Sequence, residues 1–153
     1  MKKILVLIIL GFSIFAKEAV DPKTKKLLIK SLETNEKLHE SYFSYDVKKV
    51  VDVKKDLVKS LTKVEHKKIK PIIKNAIKYL KKIANSNSRD DNNKYYHFAN
   101  VYLIRVINKF DLGEKYQAYY CPMVRKKWIQ DISKKEKVHN PYDPTMPHCG
   151  GRL

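Results

Sequence analysis

Glycine, methionine and cysteine are all missing from residues 17–112, and proline occurs there only as Pro22 and Pro71. A stretch so poor in turn formers excludes a succession of tight turns and reads as helices. Acids are scarce as well, 16 against 33 Lys and Arg in 153 residues, and they are scattered, so a hydrolase built on paired carboxylates has nothing to stand on. The chain has no Gly-rich phosphate loop, nucleophile elbow or His-Glu-x-x-His helix, which excludes nucleotide binding and the common hydrolytic sites. It also lacks the Cys-x-x-Cys-His of covalent haem and any Cys-x-x-Cys redox pair. A b-type haem would need inward-facing His or Met, and the helical stretch has no Met. The expectation is a protein that is not an enzyme and carries neither haem nor nucleotide.

Only one apolar run is long, and it lies at the start. Lys2 and Lys3 precede residues 4–15, and Ala16 stands before Lys17-Glu18. At about twelve residues the run is too short for the ~17–25 needed to cross a bilayer, and the pattern is that of a secretory signal peptide over residues 1–16. No Cys marks a lipoprotein anchor at the junction. The expected mature chain is therefore residues 17–153, one domain, exported and periplasmic, with no transmembrane anchor after cleavage. Losing Lys2 and Lys3 lowers the net charge from +17 to +15. Despite that charge, export argues against a nucleic-acid partner. The lysine excess reads mainly as a solvated surface, with contact to an anionic membrane surface as the alternative use.

Apolar periodicity divides residues 17–112 into four helices. Asp21-Pro22 supplies an N-cap and a first helical residue for a segment reaching residues 43–45. Val47, Val50, Val51, Leu57, Val58, Leu61 and Val64 mark a second. Pro71 restarts a third over 72–84, residues 85–93 read as a loop, and a fourth runs from Tyr95 to a stop near Gly113. The expected fold is all-α: an up-and-down four-helix bundle over 17–112, closed by an irregular Cys/Met-containing cap over 113–153.

The cap holds every Gly of the mature chain, four of the six Pro, and all its Cys and Met: Cys121, Met123, Met146 and Cys149. Pro122 pushes Cys121 toward an extended backbone, which would turn Cys121 and Met123 to one side. Pro147 separates Met146 from His148 in the same way. Brought together, the two ends assemble two thiols, two thioethers and an imidazole, a soft donor set that selects Cu(I) or Ag(I) over hard divalent ions. Zinc has little use for Met. The plainer reading is a Cys121–Cys149 disulfide, closing a loop of about 29 residues and worth roughly 3 kcal/mol. Both readings stay open, because a reduced pair binds metal and an oxidised one does not.

Tyr120-Cys121-Pro122-Met123, Trp128, Asn140-Pro141-Tyr142, Met146 and Cys149-Gly150 stand in an order and spacing that resembles a bacterial family of exported helical domains of unassigned function. Members occur alone or fused to the periplasmic adaptor subunits of copper and silver efflux pumps. The Cys-Pro-Met element is also similar to the opening of short heavy-metal-binding domains on copper pumps. The resemblance implies Cys121, Met123, Met146 and Cys149 as Cu(I) or Ag(I) ligands, and a heavy-metal efflux adaptor or another periplasmic metal carrier as partner. His148 is this chain's own addition to that set. Trp128 is a candidate cover for the site, since an indole face attracts a cation, or a packing residue holding the cap to the helices. His39, His66 and His97 share no i, i+4 spacing and read as ordinary helix residues. Two functions result: an exported metal-binding protein serving efflux or homeostasis, or a disulfide-capped basic helical interaction module with no metal role.

Overall fold

In the computed structural model, residues 16–134 and 137–153 are described; the signal-peptide reading of residues 1–16 falls almost entirely outside them. Four helices are followed by three strands: α1 Pro22–Ser44, α2 Val47–Leu61, α3 Lys70–Leu80, α4 Arg89–Lys109, β1 Tyr116–Cys121, β2 Lys126–Asp131 and β3 Gly151–Arg152. The all-α expectation is therefore wrong. The cap is not irregular but a three-stranded antiparallel sheet, ordered β2-β1-β3, and the fold is mixed α/β. The strands follow from Tyr116–Cys121, with three tyrosines in six residues, and from Lys126–Asp131, which centres on Trp128 and Ile129; such side chains suit a half-buried pleated surface. They are joined by the turn 122–125, where Arg125 takes φ 53°.

Local chemistry sets the helix ends. Asp21 accepts the Thr24 N–H at 2.9 Å and Asp46 accepts the Lys49 N–H at 3.1 Å, both as N-caps. Between them Tyr45 closes α1 in the left-handed region at φ 45°. The fourth helix starts earlier than its composition predicts. Ser88 caps it by accepting the Asp91 N–H at 3.1 Å, and Asp90 and Asp91 complement the helix dipole in the first turn. Asn92, which belongs to a run resembling a loop, is a buried helix residue that ties the α3–α4 connection to itself. It accepts the Ala84 N–H and donates to the Ala84 carbonyl, at 3.1 and 3.0 Å.

Helix α1 packs on α2, and α3 on α4, while β2 lies across α4 and α1. The core between the helices is aliphatic, with Leu38, Leu57, Leu61, Ile73 and Leu80 all at most 2% exposed. Near the cap it turns aromatic: Tyr42 stacks on Tyr96 at 4.3 Å between centroids, and Trp128 is fully buried.

Candidate functional site: the disulfide-closed cap

Strand β2 is an edge strand, paired with β1 on one side only. Its outward N–H groups nevertheless all find partners, and those partners are helix side chains. His97 Nδ1 accepts the Lys127 N–H at 2.9 Å, Asn100 Oδ1 accepts the Ile129 N–H at 3.2 Å, and Glu36 Oε2 accepts the Asp131 N–H at 2.9 Å. An edge that would otherwise present unpaired backbone is thus fastened to α4 and α1. Burial pushes the His97 imidazole below its ordinary range, and the neighbouring Lys126 and Lys127 charges act the same way. A neutral ring is what an Nδ1 acceptor requires.

Residues 137–149 return over this hairpin. The Gln130 side-chain oxygen Oε1 accepts the His139 N–H at 3.0 Å, and its Nε2 donates to the Lys137 backbone carbonyl at 2.8 Å. His39 Nε2 lies 2.7 Å from the His139 carbonyl, so that nitrogen carries the proton. Its Nδ1 lies 3.7 Å from Glu36 Oε2. Asn140 shapes the next turn, its amide donating to the Met146 carbonyl at 3.0 Å while its carbonyl oxygen accepts the Tyr142 N–H at 3.1 Å. Tyr142 is buried and donates its hydroxyl proton to the Lys127 carbonyl at 2.6 Å. Asp143 accepts from the Thr145 hydroxyl and N–H, and those bonds hold its carboxyl below the usual carboxylate range.

The sulfurs of Cys121, at the end of β1, and Cys149 are bonded to each other, with their Cα atoms 5.5 Å apart. Cys121 is fully buried. The two ends of the cap therefore converge, but the extended backbone expected around Pro122 and Pro147 is not formed. Cys121 closes a strand and Pro122 opens the turn, so Cys121 and Met123 lie in different backbone settings, the first fully buried and the second 70% exposed. Residues 144–148 likewise form turns and bends rather than extended chain, leaving Met146 half-buried and His148 exposed. Cys149 donates its N–H to the Met146 carbonyl at 3.1 Å. His148 Nδ1 lies 2.8 Å from the Val138 carbonyl, which places its proton there and leaves the lone pair on Nε2. Among the described residues, no group of three or more His, Cys, Asp and Glu is placed to hold a metal ion.

Trp128 lies beneath this corner. It stacks with Tyr119 at 5.8 Å and meets Tyr142 edge-on at 6.1 Å. A Cβ on Gly150 would stand 2.7 Å from the indole and 3.0 Å from the Tyr120 carbonyl, and Gly150 has φ 137°, so the residue after Cys149 has to be glycine. The residues that sequence reasoning missed are the polar helix side chains that hold the cap: Glu36, His97 and Asn100. The available signal was His97 and Asn100 standing three apart in an otherwise apolar stretch of α4.

No family model, curated protein or solved structure matches the chain.

Proposed function

We propose that this is an exported metal-binding protein that holds one Cu(I) or Ag(I) ion when its Cys121–Cys149 bond is reduced, and passes it to or from a heavy-metal efflux adaptor or another periplasmic carrier. The observation that carries this reading is the corner where the two cysteines meet beside His148. Reduction by an external dithiol breaks the S–S bond and leaves two thiols held close by the surrounding hairpin and turns. Their thiolates supply a soft, two-sulfur site, and metal entry releases the thiol protons. His148 adds a neutral Nε2 donor whose opposite nitrogen is already tied to a backbone carbonyl, the usual support of a ligating histidine. Met146 and the exposed Met123 offer thioethers that add no charge.

A competition titration of reduced protein against a Cu(I) chelator tests this. Cys121→Ser or Cys149→Ser should weaken Cu(I) far more than Met123→Leu or Met146→Leu, and Zn(II) should bind less tightly than Cu(I). Equal Cu(I) retention by the wild type and the double serine variant would sink the proposal. A second reading would then stand, favoured by the full burial of Cys121 in a closed disulfide: the bond is a permanent staple, and the protein is a basic interaction module with no metal role.

A further inference from the structure

Residues 66–110 contain no acid except Asp90 and Asp91, while Lys recurs throughout. Helix α3 buries Ile73, Ala76 and Leu80 and exposes Lys74 and Lys78, and Lys81 and Lys82 in the turn just beyond its end are exposed as well. The neighbouring acids are already engaged: Glu65 with Lys70, and Glu18 with Lys68 and Lys109. The four outer lysines stand in no ion pair among the described residues.

Beside this ridge runs a half-buried aromatic seam. Tyr79 of α3 meets Phe98 and Tyr102 of α4 at 5.0 and 6.0 Å between centroids. Lys82 lies over both Tyr79 and Tyr95, at 5.7 and 5.5 Å, and Arg105 lies over Tyr102 at 4.9 Å. Tyr95, Phe98 and Tyr102 share one side of α4, whereas His97 and Asn100 hold β2. The sheet packs on α4 and α1, so α3 and the seam remain uncovered by it.

We infer that α3 and the Tyr95–Phe98–Tyr102 side of α4 form a docking surface for an anionic phospholipid bilayer. Unpaired lysines attract the negative headgroup layer, and tyrosines beside them suit the interface, where an apolar ring and a polar tip are both accommodated. Lysine stems can lie along the apolar seam while their ammonium groups reach phosphate. A nucleic-acid strand is the poorer fit, because base stacking needs free ring faces and these faces already carry a neighbouring ring or a cation. The inference is independent of metal binding and concerns the oxidised, metal-free protein.

Vesicle co-sedimentation of residues 17–153, which contain every helix and strand among the described residues, tests it without the apolar segment at residues 4–15 that would enter lipid by itself. Binding is expected to phosphatidylcholine vesicles containing phosphatidylglycerol, to weaken with added salt, and to be lost on phosphatidylcholine alone. The variant Lys74→Gln, Lys78→Gln, Lys81→Gln should bind on the order of a hundredfold more weakly, at about 1 kcal/mol per lysine. A control of equal charge change, Lys30→Gln, Lys37→Gln, Lys59→Gln, alters the cleft between α1 and α2 and should bind nearly as the wild type does. Equal binding to neutral vesicles, equal loss in both triple variants, or tighter binding to single-stranded DNA than to anionic vesicles would each overturn the assignment. None of those results bears on Cu(I).

Discussion

Ile73 in α3 and Ile129 in β2 are both nearly inaccessible to solvent, yet they are kept there differently. Ile73 sits in a helix whose backbone satisfies itself, among aliphatic neighbours that share its chemistry. Ile129 belongs to an edge strand, and its N–H depends on Asn100, a side chain 29 positions away. The helical layer is held by many similar apolar contacts, and the cap by a few specific ones: one disulfide, one indole and a row of polar side chains reaching from α1 and α4. Substitution should therefore be forgiving in the first region wherever volume is kept. In the second it should be costly at single named atoms.

The largest contrast is expected at Trp128. Trp128→Ala removes a fully buried indole that contacts Tyr119, Tyr142 and Gly150, and should cost about 3–5 kcal/mol in chemical denaturation. Leu57→Ala in the helical layer should cost a similar ~2–5 kcal/mol, but with a different distribution. Hydrogen exchange should rise throughout residues 116–131 in the Trp128 variant while the amides of α2 and α3 keep their protection. In the Leu57 variant all elements should lose protection together. Uniform loss in both variants would show that the two regions are one cooperative unit, and the contrast drawn above would fail.

A finer break is expected at Asn100. Asn100→Leu keeps approximate volume but leaves the buried Ile129 N–H without its acceptor and the Tyr96 carbonyl without the Asn100 amide donor. A loss of about 1–3 kcal/mol should result, against under ~1.5 kcal/mol for the volume-conserving Leu57→Met. Urea midpoints of the two variants measure the difference. Equal costs would mean that the edge of β2 is satisfied by water once Asn100 is gone.

This difference in how the regions are held also explains what could be read beforehand. Val50, Leu57 and Leu61 repeat at helical spacing, so α2 is visible locally, as are the Asp21-Pro22 start of α1 and the Pro71 restart of α3. The α4 start at Arg89 was obscured because Ser88, Asp90, Asp91 and Asn92 are the residues of both loops and helix caps. In the cap, two strands of only six residues each carry too short a pattern to stand out among the Cys, Met and Pro around them. The convergence of Cys121 with Cys149 was legible, since one pair allows one bridge, but the settings of Met123 and His148 were not. Those depend on where β1 ends and which carbonyl His148 meets. The bond from the Asp131 N–H to Glu36 spans 95 positions, and no local pattern announces it.

The smallest effect distinguishes the regions by pH. His97 accepts the Lys127 N–H through Nδ1, and burial lowers its pKa below that of the unfolded chain. Between the folded value and the unfolded value, about 6.5, the unfolded chain binds more protons than the folded one, so stability rises with pH across that window. The contribution is fully present above the unfolded value and is lost as pH falls toward the folded one. It should act on the cap, where His97 fastens β2, and leave the aliphatic contacts of α2 and α3 unaffected. His97→Gln retains a carbonyl acceptor near Lys127 but cannot take up a proton, so its stability should fall less than the wild type's between pH 7.5 and 5.5, as read from urea midpoints. Subtracting one profile from the other removes the contributions of every titrating group common to both proteins. Parallel profiles would place the pH response elsewhere and leave His97 as a hydrogen-bond acceptor whose protonation has no part in holding the cap.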